Sequence, residues 1–363
     1  IHHYVQSRAR DGRFLQSLKA FLAEPSFTGT SIFGKRLDIE DLVALILREI
    51  KTTAENNLGY QVNQVVMGRP VYFSDDPQND KLAENRLKTA AQRAGFKSVI
   101  FEFEPIAATL AFLKQMGTTT EQTVLMGDFG GGTSDFTVMQ LRADMLHTQE
   151  EKRKRVLAMG GVYIGGDTFD SRIMREKLTP HFGSKVLWTG QSLPMPLWIM
   201  HTLCEWHMIP FLKDQKTLEL LRQMKRATGT PRPVENLEYL IMENRGFHIF
   251  QAIEKAKTEL SVRQEARIVY NDKKLQIDEP ISRSEFGNFI AGDMEKISSC
   301  VKQTLSAAAV RAEEVDKVLL TGGSSFVPAV RQFFADTFGE NKIVNLDAFT
   351  SVAHGLALSA SFK

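Results

Sequence analysis

The sequence predicts an α/β protein, on three observations. Helix-period and strand-type apolar segments alternate along the chain. Three glycines bracketed by aspartates, Asp128-Phe129-Gly130-Gly131-Gly132-Thr133-Ser134-Asp135, sit between two apolar strands. A glycine pair, Gly322-Gly323, lies where another strand passes into a helix. At about 150 residues per domain, 363 residues correspond to two to three domains.

The elements follow in order. To about residue 34 the chain is basic and aromatic, with its periodicity broken at Pro25 and Gly29; it reads as the tail of a unit that begins earlier. Asp38 then caps a helix. Ile39, Leu42, Val43, Ile46 and Ile50 share one face of it, and Gly59 stops it. A β-branched strand over 62–71 ends at Pro70 and the turn behind it. A helix over 82–94 stops at Gly95. A short strand over 99–103 leads to Glu104-Pro105, which opens a helix over 106–116 that Gly117 stops. Strands over 123–127 and 136–141 flank the glycine turn. Residues 149–155 form a solvated charge run. Gly165-Gly166-Asp167-Thr168 opens a helix through Arg172.

Residues 183–250 differ in character. They hold Trp188, Trp198 and Trp206 and prolines at 194, 196, 210, 231 and 233, and they read as a helical insertion with proline joints. A helix over 247–261, a strand over 266–270 and a return strand over 275–277 follow, then a long helix over 284–310. A strand over 315–321 runs into Gly322-Gly323-Ser324-Ser325, and Pro328 opens a helix to 338. Residues 351–361 are small and apolar and suit a closely packed last helix.

Composition excludes several functions. Lys+Arg number 45 against 43 Asp+Glu, a net charge of +2, so long-range steering onto nucleic acid is not expected. No apolar run reaches the ~18 residues a membrane span needs. With two cysteines, Cys204 and Cys300, there is no disulfide framework, and a reducing, cytoplasmic setting is expected. The chain opens at Ile1 rather than Met, with no signal-peptide pattern, and a preceding segment is expected.

The glycine turn carries the strongest chemistry. Glycines let backbone N–H groups approach a phosphate chain, and Thr133 adds a hydroxyl. Two carboxylates beside phosphates repel unless a cation lies between, a role that suits Mg²⁺; one of them can also orient a water for in-line attack. A plain hairpin with incidental acids is the alternative. Gly322-Gly323-Ser324-Ser325-Phe326-Val327-Pro328 has no Gly-Lys-Ser/Thr and is not a Walker loop; alone it is an ordinary strand–helix connection. Glu254, Lys257 and Ser261 share one helix face, where a carboxylate and an ammonium could hold ribose hydroxyls; alone they are a solvated face. His201, Cys204 and His207 lack a closing partner for zinc and read as a packed helix face.

In this order, Glu104-Pro105, the 128–135 loop, the 165–170 motif, the 254–261 helix, 322–328 and Ser351-Val352-Ala353-His354-Gly355 resemble the nucleotide-binding domain of the heat-shock protein 70 (DnaK-type) chaperones, in the actin-like ATPase superfamily. The chain also resembles the stand-alone, YegD-like branch of that family. The resemblance runs from about Asp38 to the end, except for 183–250. It implies a ribonuclease H-like, actin-like ATPase fold with two lobes around a nucleotide cleft: residues 1–117 as an incomplete lobe I, and 118–363 as lobe II with 167–291 as its outer subdomain.

The resemblance implies ATP or ADP with Mg²⁺ as ligands. Gly130, Gly131, Gly132 and Thr133 would hold phosphates. Asp128 and Glu104 would lie in the water shell of Mg²⁺, and Asp135 would orient the attacking water. Gly166, Glu254 and Lys257 would lie at the ribose. Ser261, Gly322, Gly323, Ser324 and Phe326 would line the adenosine side, and Pro70 and Pro105 a hinge. The implied function is an ATP-binding, slowly hydrolysing switch in protein folding and stress response, with client or co-chaperone proteins as partners. An actin-like filament protein and a degenerate nucleotide-sensing interaction module are the alternatives.

Departures stand beside these matches. The family's first phosphate loop, Asp-x-Gly-Thr-Thr, and its catalytic lysine have no counterpart in this sequence, so turnover by this chain alone is expected to be impaired. Thr258 and Phe326 stand where the family has arginines, and Asp347 or Phe349 where it has an acid. No peptide-binding β-sandwich is expected after Lys363, and neither is a cycle coupled through one.

Overall fold

The computed structural model describes residues 18–74, 76–117, 120–141, 154–187, 193–346 and 350–360. Two compact units emerge. The first comprises 1–119, 142–153 and 349–363; the second comprises 120–141 and 154–348.

In the first unit a hairpin of β1 (Thr30–Ile32) and β2 (Lys35–Leu37) leads into α1 (Ile39–Leu58). The Asp38 carboxylate accepts from the Asp41 amide at 2.7 Å and the Asp41 carboxylate accepts from the Asp38 amide at 3.3 Å, a reciprocal cap that satisfies two orphan donors. Gly59 closes the helix in the left-handed region. Ile39 and Leu42 are buried, but Ile46 and Ile50, expected on the same face, are 52% and 58% exposed. Packed helices cross at an angle, so the contact stripe winds around the cylinder; Val43 packs inward as its spacing predicts, and Leu47 takes an inward position in the second half of the helix.

Strands β3 (Gln64–Arg69) and β4 (Ser98–Phe103) pair in parallel across α2 (Pro77–Arg93), a βαβ crossover. Helix α2 starts earlier than its apolar pattern indicates, because Asp76 caps it through the amides of Gln78 and Asn79 and Pro77 suits its first turn. At the end of β3, Arg69 is 2% exposed, ion-paired to Asp80 and Glu84, and stacked 5.0 Å from the Phe73 ring centroid. Helix α3 (Glu104–Met116) follows and ends at Gly117.

The second unit is built on a five-stranded mixed sheet. Strands β5 (Gln122–Phe129), β6 (Ser134–Leu141) and β7 (Val156–Val162) run antiparallel in succession. The sequence pattern missed β7, since Gly160-Gly161 dilutes its apolar alternation. Of the charge run, 149–153 lies outside the described residues. Helix α4 (Gly166–Ile173) continues as a π turn, Met174–Leu178, and a 3-10 turn, Thr179–Phe182.

The insertion is helical, as its composition indicates: α5 (Leu197–Leu203), α6 (Gln215–Ala227) and α7 (Arg232–Met242), with Pro196 before α5 and Pro233 in the first turn of α7. Leu203, Leu221, Met224 and Leu237 are fully buried in one core with Phe169 and Phe182, so the insertion is packed into its unit. Trp206 meets the Phe247 ring edge-on at 6.1 Å, Trp198 is about half exposed, and Trp188 lies outside the described residues.

Helix α8 (Gly246–Leu260) precedes the hairpin β8 (Glu265–Asn271) and β9 (Gln276–Ser282), whose return strand is longer than its sequence signal. The expected long helix is two, α9 (Arg283–Phe289) and α10 (Ala291–Ala307), broken at Ile290, which has left helical geometry (φ −100°, ψ 4°). Strand β10 (Lys317–Thr321) lies parallel to β5 on one side and to β11 (Ile343–Asn345) on the other, with α11 (Pro328–Phe338) between them in sequence. The sheet order is β11-β10-β5-β6-β7. Phe129, Phe136 and Phe334 interlock under the glycine turn, the Phe129 ring 5.7 Å from Phe136 and 6.0 Å from Phe334, both edge-on.

The last helix, α12 (Ser351–Ala360), groups with the first unit and packs across α3, rather than with the lobe its sequence position suggests. Gly355 explains the choice. A Cβ there would lie 1.9 Å from the Ala107 carbonyl oxygen, so the two helices cross at backbone distance.

Candidate functional site

The glycine turn is tighter than its motif. Strands β5 and β6 extend through Phe129 and from Ser134, and Asp128 pairs with Asp135 across the ladder. The Gly130 amide donates to the Thr133 carbonyl at 2.9 Å, leaving Gly131-Gly132 as the two-residue loop. That loop rests on the start of α4. The Gly130 carbonyl accepts from the Gly166 amide at 3.1 Å and the Gly131 carbonyl from the Asp167 amide at 2.7 Å. Two orphan helix donors are thereby satisfied. In a trans peptide the C=O and the following N–H point in opposite directions. The amides of Gly131 and Gly132 therefore face away from α4, as an anion cradle requires.

Two further segments of the second unit, the β10 junction and α8, converge on this region. Gly322 (φ +86°) seats β10 against it: a Cβ there would lie 2.1 Å from the Phe129 carbonyl oxygen. Gly166 lies between Ser324 and Lys257, 3.1 Å from Ser324 Oγ and 3.5 Å from Lys257 Nζ as measured from the position of a Cβ. The Thr133 hydroxyl donates to Asp135 Oδ2 at 2.9 Å. Gly132 and Gly323 face open space, with no atom within 4 Å of a Cβ.

Lys257 does not stand free for a ribose. Its ammonium pairs with Asp170 at 2.8 Å and donates to the Gly166 carbonyl at 3.2 Å, both side chains being nearly buried. Burial pushes the Asp170 carboxyl up to about 6, against the pull of Lys257, and the charge of Glu254 adds to the rise. Asp170 belongs to the 165–170 motif but was given no role from sequence. The signal was available: one helical turn after Gly166, it lies on the same face of α4.

The remaining candidates are placed as follows. Glu254 is on the turn of α8 before Lys257, and its carbonyl accepts from Thr258 Oγ1 at 2.9 Å. Ser261 caps the C-terminus of α8. Phe326 ends the 3-10 turn Gly323–Phe326 and is 47% exposed. Glu104 opens α3 of the first unit, where Lys19 Nζ donates to both its carboxylate oxygens at 2.9 Å. Asp347 and Phe349 lie outside the described residues. His201 Nδ1 faces Arg175 Nη2 at 3.4 Å, and Cys204 is buried, its thiol pushed up by burial. A concavity of about 550 Å³ lies between α8 and the β8–β9 hairpin, lined by Lys255, Glu259, Arg263, Arg267 and Glu285. No described helix is long and apolar enough to cross a membrane.

Comparison with known proteins agrees with the order of these motifs. The family described as Hsp70 protein matches residues 22–188 and 243–362. The stretch between the two matches, 189–242, lies within the helical insertion. Chaperone protein DnaK of Thermosipho africanus is 26% identical over 329 residues, 89% of this chain and 44% of that protein. Chaperone protein DnaK of Thermotoga neapolitana is 26% identical over 340 residues, 91% of this chain and 46% of that protein. The chain thus spans under half the length of these curated relatives. With both family matches falling on the elements that build the glycine turn, the α4 start and the β10 junction, this chain belongs to the Hsp70 family and has its actin-like ATPase fold.

Proposed function

We propose that the second unit binds Mg·ATP at the Gly130–Thr133 turn and that the complete protein hydrolyses it slowly to ADP and phosphate, as a conformational switch in protein folding. The observation that carries this is the pinning of the Gly130 and Gly131 carbonyls by α4, which turns the adjacent amides outward. The amides of Gly131, Gly132 and Thr133 would hold the β- and γ-phosphates, while the Thr133 hydroxyl donates to Asp135. The half-buried Asp128 suits a role in the water shell of Mg²⁺. When bound, Mg²⁺ supplies neutralisation of phosphate charge. Asp135 orients a water through a hydrogen bond; the water oxygen bonds to the γ-phosphorus, the bond to the ADP oxygen breaks, and the water's proton leaves toward the carboxylate or solvent.

Gly166, Glu254 and Lys257 line the ribose side, and Ser261, Gly322, Gly323 and Ser324 the adenosine side. Lys257 acts there by holding the Gly166 carbonyl as well as by any contact of its own. Phe326 offers a base a π-face. Client or co-chaperone proteins are the proposed partners, stress response the proposed role, and the cytoplasm the proposed location, which suits the free Cys204 and Cys300. Isothermal titration with Mg·ATP tests the reading. Binding is expected, and its absence at millimolar nucleotide refutes it.

A further inference from the structure

We propose that Gly161 is a positioning residue for the Asp135 carboxylate, because its missing side chain leaves the space in which that carboxylate lies. The inference rests on the role proposed above for Asp135. Gly161 is the cross-strand partner of Asp135 in the β6–β7 ladder. A Cβ at Gly161 would stand 2.8 Å from Asp135 Oδ1, whereas ordinary contact begins at 3.4 Å. The other carboxylate oxygen, Oδ2, accepts from the Thr133 hydroxyl at 2.9 Å. One oxygen is thus tied to the glycine turn and the other lies back over the neighbouring strand. Any side chain at 161 lifts Oδ1 off the ladder and levers Oδ2 away from Thr133. The adjacent Gly160 serves a different purpose: a Cβ there would meet Thr304 Oγ1 at 2.2 Å, so it admits α10 to the opposite face. The two glycines that hide β7 from the sequence pattern therefore have separate reasons, one for packing and one for the carboxylate.

Gly161 does not have a positive φ, so alanine can adopt its backbone conformation and Gly161→Ala is expected to fold. In the full chain with Mg·ATP, Gly161→Ala is expected to lower kcat tenfold or more with KM within about twofold. In an Asp135→Asn background the same substitution should cause no further fall, whereas a merely structural role would lower kcat in both backgrounds. A second measurement needs no turnover: the side-chain carboxyl ¹³C resonance of Asp135, assigned by its loss in Asp135→Asn. Gly161→Ala should shift that resonance and its titration. An unmoved resonance, or a fall in kcat that persists without the carboxylate, overturns the inference. A moved resonance in a chain that does not turn over ATP overturns the hydrolytic reading and supports the positioning of Asp135 by Gly161.

Discussion

Gly165→Ala puts the architecture of the cradle to the test. A Cβ at Gly165 would lie 2.5 Å from the Gly131 carbonyl oxygen and 2.6 Å from that of Gly130, where ordinary contact starts at 3.4 Å. Its backbone (φ −155°, ψ −162°) is extended, so the methyl's only difficulty is space. The obstructing atoms are backbone and cannot rotate away. The turn must retreat by about 0.9 Å, the difference between contact and clash. Doing so stretches the two bonds that the Gly166 and Asp167 amides make to those same carbonyls. Overpacking costs about 1–3 kcal/mol and two weakened hydrogen bonds about 1 kcal/mol each. The expected loss of stability is about 3–5 kcal/mol, read as a lower urea midpoint. A catalytic group misplaced by about 1 Å loses on the order of 100-fold in rate, and Mg·ATP affinity should fall with it, read by titration calorimetry. Gly132→Ala is the comparison. Its methyl meets no protein atom within 4 Å, so stability should stay within about 0.5 kcal/mol while nucleotide affinity falls, since the methyl occupies the phosphate side. Parental affinity and midpoint in Gly165→Ala would refute the packing argument, and parental affinity in Gly132→Ala would refute the location of the phosphates.

Other outcomes follow from particular contacts. Burial works against ionisation of Asp272, but donors from Tyr270, the Lys274 and Leu275 amides and Tyr239 outweigh it and draw the carboxyl down to about 2. A folded-state value below the unfolded one means stability present above about pH 4 and lost as pH falls toward 2; about 1–2 kcal/mol should disappear in acid urea titrations, and less in Asp272→Asn. Asp293, 3% exposed in its side chain, accepts from Arg172 Nε and Nη2 at 2.8 and 2.9 Å. Asp293→Ala should cost about 3 kcal/mol by stranding the guanidinium, and Arg172→Met combined with Asp293→Leu should recover at least half of it in denaturant melts. Gly355→Val should release α12 from α3, detected as faster amide exchange over 351–360 at an otherwise unchanged melting profile. Mg·ATP at 100 times its Kd should raise the unfolding free energy by about 2.7 kcal/mol, and EDTA should remove that gain.

Much of the local structure was legible because its signals are local. Asp38, Gly59, Gly95 and Gly117 mark helix ends by side-chain caps or left-handed backbone, both decided within a few residues. The order of six motifs revealed the family without any spatial information. The glycine turn read as a phosphate cradle because glycines, a hydroxyl and flanking carboxylates are chemical features of the chain itself. Strand β7 was not legible, since its two glycines answer to Thr304 and Asp135, residues on other elements. The exposure of Ile46 and Ile50 depends likewise on the crossing of a neighbouring helix.

Residue types and spacing alone determined the α/β class, the helical insertion between about 183 and 250, and the aspartate-bracketed turn. Only the tertiary structure decided that Lys257 is engaged by Asp170, that α4 turns the Gly131 and Gly132 amides outward, and that the last helix joins the first unit. The physical reason is one of range. Caps and turns are settled by backbone conformation within a few residues, whereas the partner of a charge, the exposed face of a peptide and the seat of a helix are settled by atoms that lie tens to hundreds of residues away and meet only on folding.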